Sequence, residues 1–181
     1  MPGNPHPKAA YFTRGSGHDS DAKYSEDEKD YKATLDRLGR KLDTARKAVP
    51  KPIVEASPNV KAGFISFGSS YEPTREARDR LKAEGMETNH LLLRALPLAE
   101  EVKKFVAAHD IVYLVEQNRD GQMAAILKAE SPDLGTKIVS ILIYDGLPAT
   151  PGNIVRQVHE FLSTSGKEAK QWQAKRPIAS I

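Results

Sequence analysis

"TNHLLLRALPLAEEVKKFVAAHDIVYLVEQ", Thr88 to Gln117, decides the fold of this chain. Near its ends lie two continuous apolar runs, "LLL" and "IVYLV". Short runs without polar alternation suit strands buried on both faces. Between them, "LAEEVKKFVAAH" sets Leu98, Val102, Phe105 and Val106 on one helical face. Two buried strands joined by an amphipathic helix run parallel within one sheet, because parallel strands need a long crossover.

The same alternation continues in both directions. Upstream, "VKAGFISFG" (60–68) reads as a strand, and "EPTREARDRLKAEG" (72–85) as a helix with Pro73 near its first turn and Gly85 after its end. Downstream come the helix "RDGQMAAILKAE", the strand "TKIVSILIYDG", and the helix "TPGNIVRQVHEFL", which opens on a Thr150-Pro151 cap signal. Four strand-helix units in series predict an α/β domain over residues 59–165. Its mainly parallel sheet, of four or five strands, is expected between two helical layers, with right-handed crossovers.

Ahead of this domain the pattern changes. Tyr31, Leu35, Leu38, Leu42, Ala45 and Val49 are spaced four, three, four, three and four, an apolar stripe on one long helix. Ser25 with Glu28 suggests a capping box at its start, and "VPKP" ends it. Residues 27–58 therefore read as a linker helix followed by a linker, "PKPIVEASPN". Residues 1–26, with Pro2, Pro5 and Pro7 and no hydrophobic period, read as an extended arm, and residues 166–181 as a basic tail.

Hydrophobic residues make up 39% of the 181 and charged residues 28%, ordinary values for a globular chain. No apolar run approaches the ~20 residues of a membrane span, and "MPGNPHPKAA" lacks the order of a signal peptide. The expected location is the cytoplasm, without a membrane partner. Zero cysteines exclude a disulfide framework, thiol catalysis and a cysteine-ligated cluster. The net charge of +3 is uneven: Asp19 to Asp30 is acidic, whereas Lys32 to Lys51 is basic. No glycine- and aromatic-rich binding motif is interleaved with these charges, so solvated faces or a protein partner are expected rather than nucleic acid.

Chemistry in such a sheet belongs at the carboxyl ends of its strands. Those ends read "FGSSYEPT", "RALPLAEE", "VEQNRDGQ" and "YDGLPATP". The first could present backbone amides to a phosphate or be a tight turn at Gly68, capped by Ser69 and Ser70. No phosphate-loop or dinucleotide fingerprint accompanies it. Glu116, Gln117, Asn118, Arg119 and Asp120 form either a helix cap or a contact surface. His6, His18, His90, His109 and His159 are scattered without ligand spacing, so no metal site is expected. His109, closing a helix, would complement its dipole as a cation.

The remaining candidate is "YFTRGSGHDSD", Tyr11 to Asp21. The Arg14 guanidinium suits a carboxylate or phosphate, Thr13 and Ser16 add hydroxyls, and Gly15 and Gly17 allow close backbone approach. These residues by themselves favour the plainer reading, in which Arg14 pairs with Asp19 or Asp21.

Taken in order, "YFTRGSGHD", "YSEDEKDYKATLDRLGRKLDTARKAVPKP", "GFISFGSSYEPTREARDRLKAEG", "LLLRALPLAEEVKKFV", "YLVEQNRDGQMAAIL" and "YDGLPATPGNIV" resemble the carboxy-terminal part of the alpha subunit of 2-oxoacid:ferredoxin oxidoreductases, particularly the 2-oxoglutarate type. The resemblance implies a transketolase carboxy-terminal-like domain preceded by a loop and helix leaving an upstream catalytic domain. It implies an enzyme that decarboxylates a 2-oxoacid on thiamine diphosphate with Mg2+, passes electrons through an iron-sulfur cluster to ferredoxin, and gives the acyl group to coenzyme A. The implied partners are the beta subunit and the upstream alpha-subunit domains.

The resemblance also implies that Arg14 binds a substrate carboxylate, with Thr13 and Ser16 assisting and His18 orienting the loop or donating a hydrogen bond. The chain lacks a "YPITP"-like motif, a G-D-G diphosphate motif and cysteine, so no cofactor is expected on this chain alone. Alone it is expected to be inactive, as a fragment or split-gene product. Two rivals stay open: a non-catalytic docking or assembly module, and an independent nucleotide-binding protein.

Overall fold

The computed structural model describes residues 5–7 and 17–164. The chain divides into two compact units, Met1–Ala48 and Val49–Ile181.

In the first unit a tight turn leads into helix α1, Glu28–Ala48. His18 and Tyr24 form an antiparallel bridge across the turn, and Asp19 Oδ1 accepts the amides of Asp21 and Lys23 at 2.8 and 3.0 Å. The helix cap differs from the sequence expectation. Asp27 Oδ1 accepts the Lys29 amide at 2.7 Å, whereas Ser25 Oγ donates to Asp30 Oδ2 at 2.6 Å. Asp27 adjoins the first helical residue, so its short carboxylate reaches the second amide of the turn, as a cap requires. Glu28 and Asp30 at the start and Arg46 and Lys47 at the end match the helix dipole. No described side chain on α1 is buried.

The second unit holds strands β1 (Ile53–Glu55), β2 (Ala62–Phe67), β3 (Thr88–Leu93), β4 (Ile111–Glu116) and β5 (Ile138–Leu142) in one sheet, ordered β1-β3-β2-β4-β5. Strands β3, β2, β4 and β5 run parallel, as expected, and β1 is antiparallel on the edge. The segment read as a linker therefore supplies a strand. With three residues it is too short to show a period, and Ile53 and Val54 are half exposed. Arg78 holds it in place: Nη1 donates to Glu55 Oε2 at 2.7 Å, and Nη2 to the Thr88 carbonyl of β3 at 2.9 Å.

The helices are α2 (Tyr71–Ala83), α3 (Glu100–Ala108), α4 (Gln122–Glu130) and α5 (Pro151–Thr164). Phe64 and Tyr113 pack with Leu81 of α2 and with Ile154 and Val158 of α5. Their neighbours Ile65 and Leu114 face the other way, onto Val102 and Phe105 of α3 and Leu127 of α4. Adjacent strand residues thus belong to opposite cores, giving three α/β/α layers. Helix α2 ends on Gly85 at φ 89°, where the Met86 amide returns to the Leu81 carbonyl at 2.9 Å and the Gly85 amide to Lys82. This left-handed stop is the one that the glycine at position 85 signals. Thr150 Oγ1 accepts the Asn153 amide at 3.2 Å and caps α5.

Candidate functional site

The strand order fixes where a site could form. From β2 the chain crosses to β3 on one side, and β4 then returns to the other side of β2. The crevice between the carboxyl ends of β2 and β4 is the switch point at which such sheets bind ligands or partners. Two loops meet there, and Ser69 Oγ donates to Gln117 Oε1 across it at 3.2 Å.

Each loop spends its polar groups on local structure. Gly68 has φ 57°, and Ser70 Oγ donates to the Phe67 carbonyl at 2.8 Å, so "FGSS" is the tight turn rather than an open anion cradle. On the β4 side Glu116 is fully buried. Its carboxylate accepts the amides of Met123 at 2.7 Å and Ala124 at 3.0 Å, and the Asn118 side-chain amide at 3.0 Å. Three donors at the start of α4 hold it as a helix cap, where the dipole favours an anion. Gly121 (φ 62°) lets the chain turn into α4 above Ser140, whose Oγ would lie 3.3 Å from an added Cβ. Outside this cap Ser69, Gln117, Arg119 and Asp120 are solvent-facing, and the last loop exposes Tyr144 by 65% and Leu147 by 69%. Apolar and polar groups exposed together make this rim a contact surface more than an acid-base centre.

A second cluster went unseen in the sequence. Ser66 Oγ of β2 lies 2.7 Å from His90 Nε2 of β3, a nucleophile-base distance. The pairing is carried by register, Phe64 opposite His90, between residues too far apart in sequence to form a motif. Both side chains are buried, and the Tyr71 ring stacks on His90 at 5.4 Å. Burial pushes the His90 ring down to about 4, the Arg78 and Arg75 charges act in the same direction, and Glu55 opposes them. The Arg78 hydrogen bond in turn holds the Glu55 carboxyl below its ordinary range. A sealed serine cannot reach a substrate, so the pair satisfies two buried polar groups beneath α2.

His109 closes α3 from a buried position. The Ser57 amide donates to Asn89 Oδ1 at 2.8 Å, which orients Asn89 Nδ2 onto His109 Nε2 at 2.9 Å. His109 therefore carries its hydrogen on Nδ1, donated to the Phe105 carbonyl at 2.6 Å. His159 Nε2 pairs with Glu84 across α2 and α5 at 2.8 Å.

Of the residues singled out in the opening loop, Thr13, Arg14 and Ser16 lie outside the described residues. His18 is described: Nδ1 is 2.8 Å from the Asp19 carbonyl, and Thr34 of α1 donates to the His18 carbonyl at 3.5 Å. Among the described residues no three His, Cys, Asp or Glu side chains are grouped to hold a metal ion. No described helix is long and apolar enough to cross a membrane.

No family model matches the chain. Over 167 residues it is 27% identical to subunit alpha of 2-oxoacid:ferredoxin oxidoreductase 2 of Aeropyrum pernix, covering 86% of this chain and 25% of that protein. The fold superposes with a TM-score of 0.71, at 25% identity, on a chain of the 2-oxoglutarate:ferredoxin oxidoreductase from Magnetococcus marinus, solved with 2-oxoglutarate, coenzyme A and succinyl-CoA bound. That match covers 86% of this chain and 27% of the other. A split-gene transketolase, in an inactive beta4 tetramer, matches at TM-score 0.50 and 15% identity, and shows the transketolase-like fold. The chain spans about a quarter of the length of these two oxidoreductase chains. Its sequence and fold thus resemble, over most of its own length, a part of the alpha subunit of 2-oxoacid:ferredoxin oxidoreductases.

Proposed function

We propose that the chain is the carboxy-terminal portion of the alpha subunit of a 2-oxoacid:ferredoxin oxidoreductase, with 2-oxoglutarate as substrate, working in the cytoplasm beside a beta subunit. The observation that carries this reading is the joint match in sequence and fold over 86% of the chain to enzymes of this type. The bound 2-oxoglutarate, coenzyme A and succinyl-CoA of the Magnetococcus marinus enzyme favour that substrate and product.

In such an enzyme thiamine diphosphate with Mg2+, an iron-sulfur cluster and coenzyme A supply decarboxylation, electron transfer and acyl acceptance. The described residues do not fit the first two groups: the chain has no cysteine, and among the described residues no His, Asp or Glu side chains are grouped to hold a metal. The chemistry belongs to other polypeptide, and this chain is inactive alone. Its contribution is to shape and close the site. Arg14 holds the substrate carboxylate in a charge-assisted contact, Thr13 and Ser16 assist, and His18 orients the loop or donates a hydrogen bond.

The test uses the complete complex purified through a tag on this chain, with coenzyme A-dependent reduction of a viologen dye as the readout. Oxidation of 2-oxoglutarate in preference to pyruvate supports the substrate assignment, and the reverse preference overturns it. Arg14→Ala lowers kcat/KM for 2-oxoglutarate by ~10 to 100 fold, and unchanged kinetics remove Arg14 from the site.

A further inference from the structure

We propose that residues 51–60 form a strap that opens from the edge of the sheet as a unit, with Glu55 as its latch, while the other four strands stay paired. This motion belongs to the fold itself and does not depend on the oxidoreductase reading.

No residue from 51 to 60 is buried, whereas every residue from Ala62 to Ser66 of β2 is. Within that stretch β1 spans three residues and pairs with β3 alone. Strand β3 is paired along its other side with the six residues of β2, so it stays in the sheet when β1 leaves. Ile53 and Val54 are already 45 and 46% exposed, so opening uncovers little apolar area on them. The strap also packs loosely: a cavity of about 490 Å³ is lined by its Val54, Ser57 and Pro58 and by Phe105 and Ala108 of α3. Short elements with few buried contacts open locally, at a lower free energy than the whole domain.

Polar groups of its neighbours hold the strap closed. Lys51 Nζ pairs with Glu101 Oε1 of α3 at 2.7 Å. The Ser57 amide donates to Asn89 Oδ1 of β3 at 2.8 Å, and Asn89 Nδ2 donates back to the Ser57 carbonyl at 3.3 Å. Between these two anchors Glu55 is gripped from α2: Arg78 Nη1 donates to Oε2 at 2.7 Å, and the Tyr71 hydroxyl to Oε1 at 3.4 Å. Arg78 is anchored independently of the strap, since its Nη2 donates to the Thr88 carbonyl of β3 at 2.9 Å. A guanidinium fixed in this way loses little order when the carboxylate closes on it.

Asn59 marks the hinge. Its φ of 65° lies in the left-handed region, which asparagine tolerates, and it sits in the turn between β1 and β2. The strap is also the chain that joins α1 to β2. Closed, that connection is fixed to β3; open, it is a free linker. Opening therefore changes the connection after α1 without unfolding the sheet that carries it.

The experiment is native-state hydrogen exchange on the full chain at neutral pH, followed by mass spectrometry. The amides of residues 53–57 are protected, yet they exchange ~100 fold or more faster than those of β2 and β4. Glu55→Gln keeps the shape of the side chain and removes its charge. It speeds exchange over 53–57 by about three- to tenfold, a modest change because the pair is partly exposed. Glu76→Gln, which breaks the pair with Arg80 on the same helix, leaves the strap's exchange as it was. Leu127→Ala, in the core beneath α4, weakens the sheet whether the strap is open or closed. It therefore speeds exchange of β2 and β4 by ~30 fold or more and leaves the strap unchanged. A strap that speeds up with Leu127→Ala as much as β2 does opens only by global unfolding, which overturns the proposal. So does an absence of protection over 53–57, or a Glu55→Gln effect that is missing or matched by Glu76→Gln.

Discussion

The α/β unit and helix α1 use the same residue types to opposite ends. In the sheet unit Leu81, Leu91 and Leu114 are completely buried, and polar groups such as Glu116 and His90 find partners inside it. On α1, leucines of equal size stand about half exposed, and Lys32 and Lys41 beside them are exposed. The first pattern belongs to a structure that is complete in itself. The second belongs to a surface whose free energy is released only against something else. The difference sets a self-contained sheet unit apart from a helix with an open apolar stripe.

That comparison can be broken by stability measurements on the full chain, using urea midpoints. Leu81→Ala opens a cavity against Phe64 and Tyr113 and costs about 2 to 5 kcal/mol. A loss under about 1 kcal/mol would mean that the α2 face is looser than its burial suggests.

Acidification comes next in size. The folded His90 ring stays neutral down to about pH 4, whereas the unfolded ring takes a proton below 6.5. The unfolded state therefore binds more protons within that window. Stability is complete above about pH 6.5 and falls by up to about 3 kcal/mol as the pH drops to about 4, and His90→Gln flattens this loss. The Glu55–Arg78 pair acts in the same direction: its contribution is present above 4.5, the ordinary carboxyl value, and is lost at lower pH. An acid profile unchanged by His90→Gln would contradict the neutral buried ring.

Glu116→Ala leaves the buried amides of Met123 and Ala124 without their acceptor and costs about 1 to 3 kcal/mol. Glu116→Gln, which keeps one acceptor oxygen, costs less. The smallest effect belongs to α1: Leu35→Ala changes stability by about 0.5 kcal/mol or less, because no core surrounds it. Equal losses for Leu81→Ala and Leu35→Ala would erase the contrast between the two units.

The layered sheet was legible in the sequence because each strand is a continuous apolar run and each helix carries its own boundary signals. Pro73, Gly85 and Thr150 stand where the caps and stops form. Strand β1 was not, because Ile53, Val54 and Glu55 are too few for a period and their pairing depends on Arg78, distant in sequence. The His90–Ser66 pair was hidden for the same reason: strand register, a tertiary property, creates it. Asp27 displaced Ser25 as the cap of α1 because two oxygens compete for the same first turn and the nearer one takes the amide. The stripe on α1 could be read directly, since exposure does not alter a period.

We have proposed that this chain functions only as a part of a larger oxidoreductase. The most direct measurement is coenzyme A-dependent reduction of a viologen dye by 2-oxoglutarate, made on the chain alone and on the complex purified with it from its own cells. No turnover is expected from the chain alone, and turnover from the complex. Activity of the chain alone, or a complex that oxidises no 2-oxoacid, would contradict it.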